Sequence, residues 1–290
     1  MLDQALKNKI AKIKIQTRRI MNNTLSGDYL SAFKGSGLEF EQIRDYQIGD
    51  DIRSIDWNSS AKMNKMMVKQ FVEERDRTVI LAIDTSASTL FSSEQELCKD
   101  TIAQLAATLA FVASDNKDKV GVLFFSDTIE KWIAPSKGNV HLGAIIESIF
   151  TMQPKYKGTN IAHALRFLVN LKKKNAVVFV ISDWVDQIAD YSHLLHITNC
   201  RYDLVGVRIT DKTLSALPDI GLVEIVDPEQ KVNGIIATNR QDINIFLQAR
   251  LIEQKKIFEK YNIDLLDLIV GQSFIKPLIN FFHRRIRRQI

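Results

Sequence analysis

Two stretches of the chain are apolar at every position, 79–83 (Val-Ile-Leu-Ala-Ile) and 176–181 (Ala-Val-Val-Phe-Val-Ile), and each runs into an acid-bearing turn. Continuous rather than alternating hydrophobicity marks a strand buried on both faces, the condition of a parallel sheet between two helical layers. Residues 120–125 repeat the pattern, and 66–72, 203–209 and 265–270 predict three further strands. Between them the period lengthens to that of a helix. Leu97, Leu105, Leu109 and Val112 follow a Ser93-x-x-Glu96 capping box, and Ile145, Ile146 and Ile149 mark the inner face of a helix over 140–151. Helices are also predicted over 189–198, 241–260 and 274–288, and 222–226 is a short apolar segment. Leu2, Leu6, Ile10, Ile13 and Ile20 predict an N-terminal helix ending before Ser26-Gly27-Asp28, whereas 31–64 reads as irregular. Strands alternating with helices predict an α/β fold, doubly wound and mostly parallel, with helices on both faces and an N-terminal extension.

Chemistry collects where the apolar strands stop. Asp84-Thr-Ser86-Ala-Ser88 sets an acid and two hydroxyls just past the first core strand, and Asp183 ends the 176–181 run. Lys157-Gly158-Thr159-Asn160 is a turn opening a helical pattern (Ile161, Ala164, Leu165, Leu168, Val169), and it offers a third hydroxyl. Open α/β sheets bind ligands at the carboxyl ends of their strands. Adjacent strands lie about 4.8 Å apart, so loops from neighbours can converge on one ion. Carboxylate and hydroxyl oxygens suit a small hard cation such as Mg²⁺. The same residues could also form a turn and cap the following helix. In order and type, Asp84, Ser86, Ser88, Thr159 and Asp183 resemble the metal-ion-dependent adhesion site of von Willebrand factor A domains. That resemblance implies Mg²⁺ or Mn²⁺ held with one position open for an acidic side chain of a partner.

Upstream, Gly35-Ser-Gly37-Leu-Glu-Phe40-Glu-Gln-Ile-Arg44-Asp-Tyr46-Gln-Ile-Gly49-Asp50-Asp51-Ile-Arg53-Ser-Ile-Asp56-Trp57 is continued by Ser60-Ala61-Lys62 and Val68-Lys69-Gln-Phe71. This run resembles the signature of the domain-of-unknown-function fifty-eight family, whose members carry a von Willebrand A-like domain and are often encoded beside MoxR-type AAA+ ATPases. The resemblance runs from about Gly35 to the C-terminal arginines and implies a MoxR-type AAA+ ATPase, or its client, as partner. It departs from the family over 211–218 (Asp-Lys-Thr-Leu-Ser-Ala-Leu-Pro), where an extra acid is common. The expected division is 1–76 for the N-terminal helix and signature, 77–272 for the von Willebrand A-like domain and 273–290 for a basic C-terminal helix. Within the signature, Gly49-Asp50-Asp51 predicts a turn, Arg44, Arg53 and Asp56 an ion-pair network, and Trp57 a packed residue with its N–H bonded.

Composition narrows the function. With 290 residues, 46% of them hydrophobic, the chain can bury one large core. Cys98 and Cys200 are too few and too far apart for a disulfide framework and are expected to be free core thiols. Residues 1–20 interleave Lys and Arg with isolated apolar residues, unlike a signal peptide, and no uncharged stretch is long enough to span a bilayer; a cytoplasmic protein without a transmembrane segment is expected. The net charge of +5 comes from the termini: Lys7, Lys9, Lys12, Lys14, Arg18 and Arg19, then Arg284, Arg285, Arg287 and Arg288. Without aromatics interleaved among them, these do not form a nucleic-acid platform, and nucleic acid is not the expected partner.

Three comparisons bear on catalysis. A haloacid-dehalogenase-like phosphatase also begins with an apolar strand ending in Asp, but its pattern is Asp-x-Asp; Ser86 occupies the second position here and cannot act as general acid and base near neutral pH. No Gly-x-x-x-x-Gly-Lys-Ser/Thr phosphate loop is present. His141, His163, His193, His196 and His283 include no His-Glu-x-x-His pair, and Asp127 and Asp186 read as exposed turn acids. The expectation is a non-catalytic, metal-dependent protein-binding module. The alternatives are a Mg²⁺-dependent phosphoryl-transfer enzyme and a nucleic-acid binder using the basic termini.

Overall fold

The computed structural model describes residues 29, 31–33, 38–73, 77–90, 98–156, 158–171, 176–212, 221–226, 233–237 and 241–289. The predicted N-terminal helix, Gly35 and Gly37, the Ser93–Glu96 capping box, Lys157 and most of 211–218 lie outside them. The chain divides into two units, Lys34–Arg77 and a larger one built from Met1–Phe33 and Thr78–Ile290.

The smaller unit is a hairpin with a helical insert. Strand β1 (Leu38–Asp45) pairs antiparallel with β2 (Met67–Glu73), and between them lie a 3-10 turn (Ile52–Ser54) and helix α1 (Trp57–Met63). Asp51 starts the 3-10 turn by accepting the Arg53 N–H, and Asp56 starts α1 by accepting those of Asn58 and Ser59. Asn64, at φ 52°, closes α1 in the left-handed region that Asn tolerates. The predicted irregular segment over 31–64 is thus corrected. Its period-two signal fails because the apolar order Leu38, Phe40, Ile43 slips by one residue, and a register shift between Phe40 and Gln42 absorbs the slip. The predicted ion-pair network is two separate pairs: Arg44 grips both oxygens of Asp50 at 2.7 Å, and Lys69 stands 3.6 Å from Asp56. Trp57 is not packed; it is 65% exposed.

The larger unit holds a six-stranded sheet in the order β10-β7-β6-β3-β4-β5. Its strands are β3 (Thr78–Asp84), β4 (Lys119–Phe125), β5 (Ile129–Ser136), β6 (Ala176–Ser182), β7 (Asp203–Thr210) and β10 (Asp264–Ile269). All neighbours pair in parallel except β5, which runs antiparallel to β4. Counted along the chain, the sheet order is 3-2-1-4-5-6, a doubly wound arrangement whose winding reverses between β3 and β6. A separate hairpin pairs β8 (Leu222–Val226) with β9 (Asn233–Ala237).

Alternation on the buried strands builds two cores. Val79, Leu81 and Ile83 face one layer, made by α2 (Cys98–Asp115), α3 (Asn139–Thr151) and α7 (Ile275–Gln289). Ile80 and Ala82 face the other, made by α4 (Ile161–Asn170), α5 (Ile188–Arg201) and α6 (Gln241–Lys260). Each such buried Leu, Ile or Val stabilises by roughly 1.5–3 kcal/mol relative to exposure. Tyr29 and Phe33 join the first layer edge-on to Phe282, and the Tyr29 hydroxyl donates to the buried Asp118. Strand β5 has no apolar run to announce it, being half-exposed and interrupted by Pro135. Gly121 on β4 accommodates that proline: a Cβ there would lie 2.7 Å from Pro135 Cγ. Cys98 is buried as expected, whereas Cys200 is exposed in the last turn of α5, ahead of β7. Among the described residues no helix is long and apolar enough to cross a membrane.

Candidate metal centre

The winding of the sheet reverses between β3 and β6, and each of these strands ends at an aspartate. Asp84 is the last residue of β3, and Asp183 follows the last residue of β6. Past Asp84 the chain turns sharply. Asp84 Oδ1 accepts the Ser86 N–H at 2.8 Å, and Thr89 Oγ1 donates to Ser86 O at 2.7 Å within a 3-10 turn (Ala87–Leu90). The N–H and hydroxyl of Thr85 both donate to Phe125 O, at 2.8 and 2.9 Å, so the turn is tied to the end of β4.

Hydroxyls then join the two acids. Ser86 Oγ and Ser88 Oγ are 2.9 Å apart, Ser182 Oγ donates to Asp84 Oδ2 at 2.6 Å, and the Asp183 carboxylate accepts from Ser88, Ser182 and the Val185 N–H. Four of the five predicted residues, Asp84, Ser86, Ser88 and Asp183, therefore form one connected set. Thr159, half-buried, lies on the loop brought to the same end of the sheet. There Asn160 N–H donates to Ser126 O at the end of β4, and the Ile161 N–H donates to Asp186 at 3.0 Å in the loop after β6. Asn160 also caps α4 through the His163 N–H. Asp127 and Asp186, read as exposed turn acids, are instead half-buried.

The electrostatics of the set are unbalanced. Asp84 is 2% exposed, and burial first, then the nearby Asp183, push its carboxyl above the ordinary carboxylate range; the serine hydroxyls and the Ser86 N–H offset part of this. Burial also raises Asp183. Among the described residues no lysine or arginine bonds to either carboxylate. Arg250, whose field favours the charged form of Asp183, directs its guanidinium to the carbonyls of Val185 and Asp186. Nor do three His, Cys, Asp or Glu side chains gather anywhere among the described residues in a metal-holding group. Two carboxylates without an internal counter-ion, surrounded by hydroxyl oxygens, fit a hard divalent cation and offer nothing to a soft one.

Three contributors carry no sequence signal of their own. Ser182, fully buried, bonds both acids while ending an otherwise apolar strand. Trp184 is fully buried at φ 58°, a left-handed conformation disfavoured for a bulky residue. It is held there by its indole N–H to Val207 O at 3.0 Å and by Ser182 Oγ accepting its backbone N–H. Buried Gln254 of α6 donates to Trp184 O, so the Asp183 loop is braced from outside the sheet.

The sheet order is that of a von Willebrand A-like domain, and solved structures resemble the chain in fold. An aerotolerance-related membrane protein from Bacteroides fragilis superposes with a TM-score of 0.50 at 13% identity, covering 73% of this chain and 99% of that one. BatB from Bacteroides thetaiotaomicron gives 0.48 at 14% identity over 73% and 99%, and a von Willebrand factor type A protein from Catenulispora acidiphila gives 0.40 at 10% over 76% and 43%. Among curated proteins, uncharacterised proteins of Mycobacterium tuberculosis and Mycobacterium bovis are 24% identical over 290 residues, covering 98% of this chain and 91% of theirs. The family described as "Protein of unknown function DUF58" matches residues 42–256, from within β1 into α6. With most of the signature segment and strands β3 and β6 inside that match, the chain belongs to the DUF58 family.

Proposed function

We propose that this chain is a non-catalytic protein-binding module whose recognition depends on Mg²⁺ or Mn²⁺ held by Asp84, Ser86, Ser88, Thr159 and Asp183. The observation that carries the reading is the pair of carboxylates at the reversal of the sheet, Asp84 buried and Asp183 half-buried, joined by hydroxyls and, among the described residues, bonded to no protein cation. A bound divalent cation would supply an electrophile with a free position, and a Glu or Asp from a partner would fill it. Ser86 and Ser88 hold the two acids in register, and Ser182, bonded to both, fixes their orientation. Catalysis finds no footing. The hydroxyl nearest an acid, Ser182, is fully buried, and Ser86 stands where a phosphatase of the haloacid-dehalogenase type needs a second acid.

The proposed partner is a MoxR-type AAA+ ATPase or its client, a reading supported by the family signature over Arg44–Trp57 and consistent with a cytoplasmic location. Affinity capture from a lysate tests it. Recovery of the ATPase or its client in Mg²⁺ should fall in EDTA and with Thr159→Ala, and calorimetry should show Asp84→Ala losing most Mg²⁺ and Mn²⁺ binding while still melting cooperatively. Equal recovery in EDTA, or undiminished metal binding by Asp84→Ala, would refute the metal-dependent contact.

A further inference from the structure

The two lateral edges of the main sheet are built differently. Strand β5, on one side, carries Pro135, two register shifts against β4, and Lys131, whose ammonium donates to Ser148 Oγ. Proline, bulges and lysine are the devices by which edge strands resist further pairing. Strand β10, on the other side, has none of them: its six residues run in unbroken register with β7.

The direction of its free hydrogen-bonding groups follows from one bond. The Val270 N–H donates to Thr210 O on the β7 side. Successive residues of a strand point their N–H and C=O groups to opposite neighbours, so 264, 266 and 268 also face β7, and 265, 267 and 269 face away. Ile269 O accepts from Gln272 N–H, but among the described residues the main-chain groups of Leu265 and Asp267 have no partner.

Beside this edge runs a groove of about 590 Å³, with Leu265, Leu266 and Asp267 as its floor and Pro277, Asn280, His283, Arg284 and Arg287 of α7 along its wall. The arginines of α7 divide by face. Arg285 and Arg288 turn to Asp203 and Asp264 at the start of β7 and β10. Arg284 and Arg287 are exposed and, among the described residues, form no ion pair. Asp267, the acid on the floor, is already held by Arg208 at 2.6 Å.

We propose that β10 accepts an extended acidic segment of a partner protein as a seventh strand, paired through Leu265 and Asp267, with its carboxylates on Arg284 and Arg287. Strand addition supplies affinity through main-chain bonds, and side-chain pockets supply specificity. A second copy of the chain is the poorer occupant. At this edge it would present only Asp264 and Asp267, both engaged by arginines of their own chain, and would leave Arg284 and Arg287 uncompensated.

The surface is separate from the metal centre, so the test is run in EDTA. A library of short random peptides is panned against the full chain, and a selected peptide is measured by fluorescence anisotropy. The expected outcome is enrichment of sequences acidic at alternate positions. Binding should weaken by about tenfold or more with R284E/R287E, as expected when charge complementarity is reversed, and should be lost when alternate amides of the peptide are N-methylated. Hydrogen exchange should slow at Leu265 and Asp267 in the complex. Peptides without acidic bias, affinity unchanged in R284E/R287E, or tolerance of N-methylation would overturn the proposal. So would a dimer of this chain that R284E/R287E dissociates. Both arginines are exposed, so a cooperative melt of the double variant separates lost binding from lost folding.

Discussion

Two pairs of aspartates at strand ends of the main sheet are treated in opposite ways. At the amino ends, Asp203 receives Arg285 on both oxygens at 2.6 Å, and Asp264 receives Arg288 at 2.6 Å and Arg285 at 3.4 Å; Arg285 also lies over the Phe33 ring. At the carboxyl ends, Asp84 and Asp183 are set close enough to repel each other, and their bonds come from hydroxyls and backbone N–H groups. Buried charge without a counter-ion costs several kcal/mol, a large fraction of the roughly 5–15 kcal/mol that holds a domain folded. The arginines that bond these four acids all lie at the amino ends; at the carboxyl ends Arg250 acts on Asp183 only through its field. The amino end is an internal clamp; the carboxyl end, on the function proposed above, receives its positive charge from a bound cation.

That contrast is open to direct attack. The largest effect is expected from Arg285→Ala, which strips the clamp from Asp203 and opens the cluster at Phe33. Urea unfolding should show a loss of roughly 3 kcal/mol, and a loss under about 1 kcal/mol would mean the amino-end pairs are ornamental. At the carboxyl end the dependence on pH should have a defined sign. Burial raises the folded-state pKa of both Asp84 and Asp183, Asp84 to about 7. Between an ordinary carboxylate pKa near 4 and that value, the unfolded chain releases protons that the folded chain keeps, so metal-free stability falls as pH rises through this window and is fully reduced above it. Melts in chelator should be higher at pH 5 than at pH 8, by about 2 kcal/mol of stability, and Mg²⁺ should raise the melt at pH 8 but hardly at pH 5. Asp50, held near 2 by Arg44, acts in the opposite sense only below pH 4 and does not confuse the comparison. The smallest effect belongs to Asp84→Asn, which keeps one oxygen to accept the Ser86 N–H, puts an amide NH2 against Ser182 Oγ, and removes one of the two charges. At pH 8 without metal it should be more stable than the parent by about 1 kcal/mol and should show a flatter pH profile. Destabilisation by this change would indicate that the carboxylate is already compensated within the chain.

The carboxyl-end half of this contrast was readable in the sequence, for identifiable reasons, whereas the amino-end clamp was not, since Arg285 and Arg288 read only as part of a basic terminus. The central strands are buried on both faces, so Val79–Ile83 and Ala176–Ile181 carry no polar interruption, and an acid directly after such a run falls at the carboxyl edge. Elements that face solvent or break their period were not readable. β1 hides behind its register shift, β5 behind Pro135 and half-exposed side chains, and β9 is a short Asn-Gly-containing strand. At the site, hydroxyls and acids declare themselves by type, but the supports do not. Gln254 reaches Trp184 across 70 positions and Arg250 reaches Val185 across 65, distances at which no local pattern operates. Trp57 failed for another reason: its size suggested burial, yet at the start of α1 it stands in solvent, as does Met63 at the helix's other end, each 65% exposed.

The pairing of β3 with β6 sets a timing problem during synthesis. β3 is buried along its full length, but Asp84 and Ser182 are 98 residues apart, and β4 covers only one side of β3 until β6 emerges. At roughly 5–20 residues per second the ribosome takes about 5–20 s to supply the missing neighbour. For that interval a seven-residue strand of high β-propensity, uncharged until its terminal Asp84, has one side unpaired. The arrangement that puts the acids at the centre of the sheet therefore makes β3 the segment on which a nascent chain most needs a chaperone, and the first place where crowded expression should drive it into aggregates.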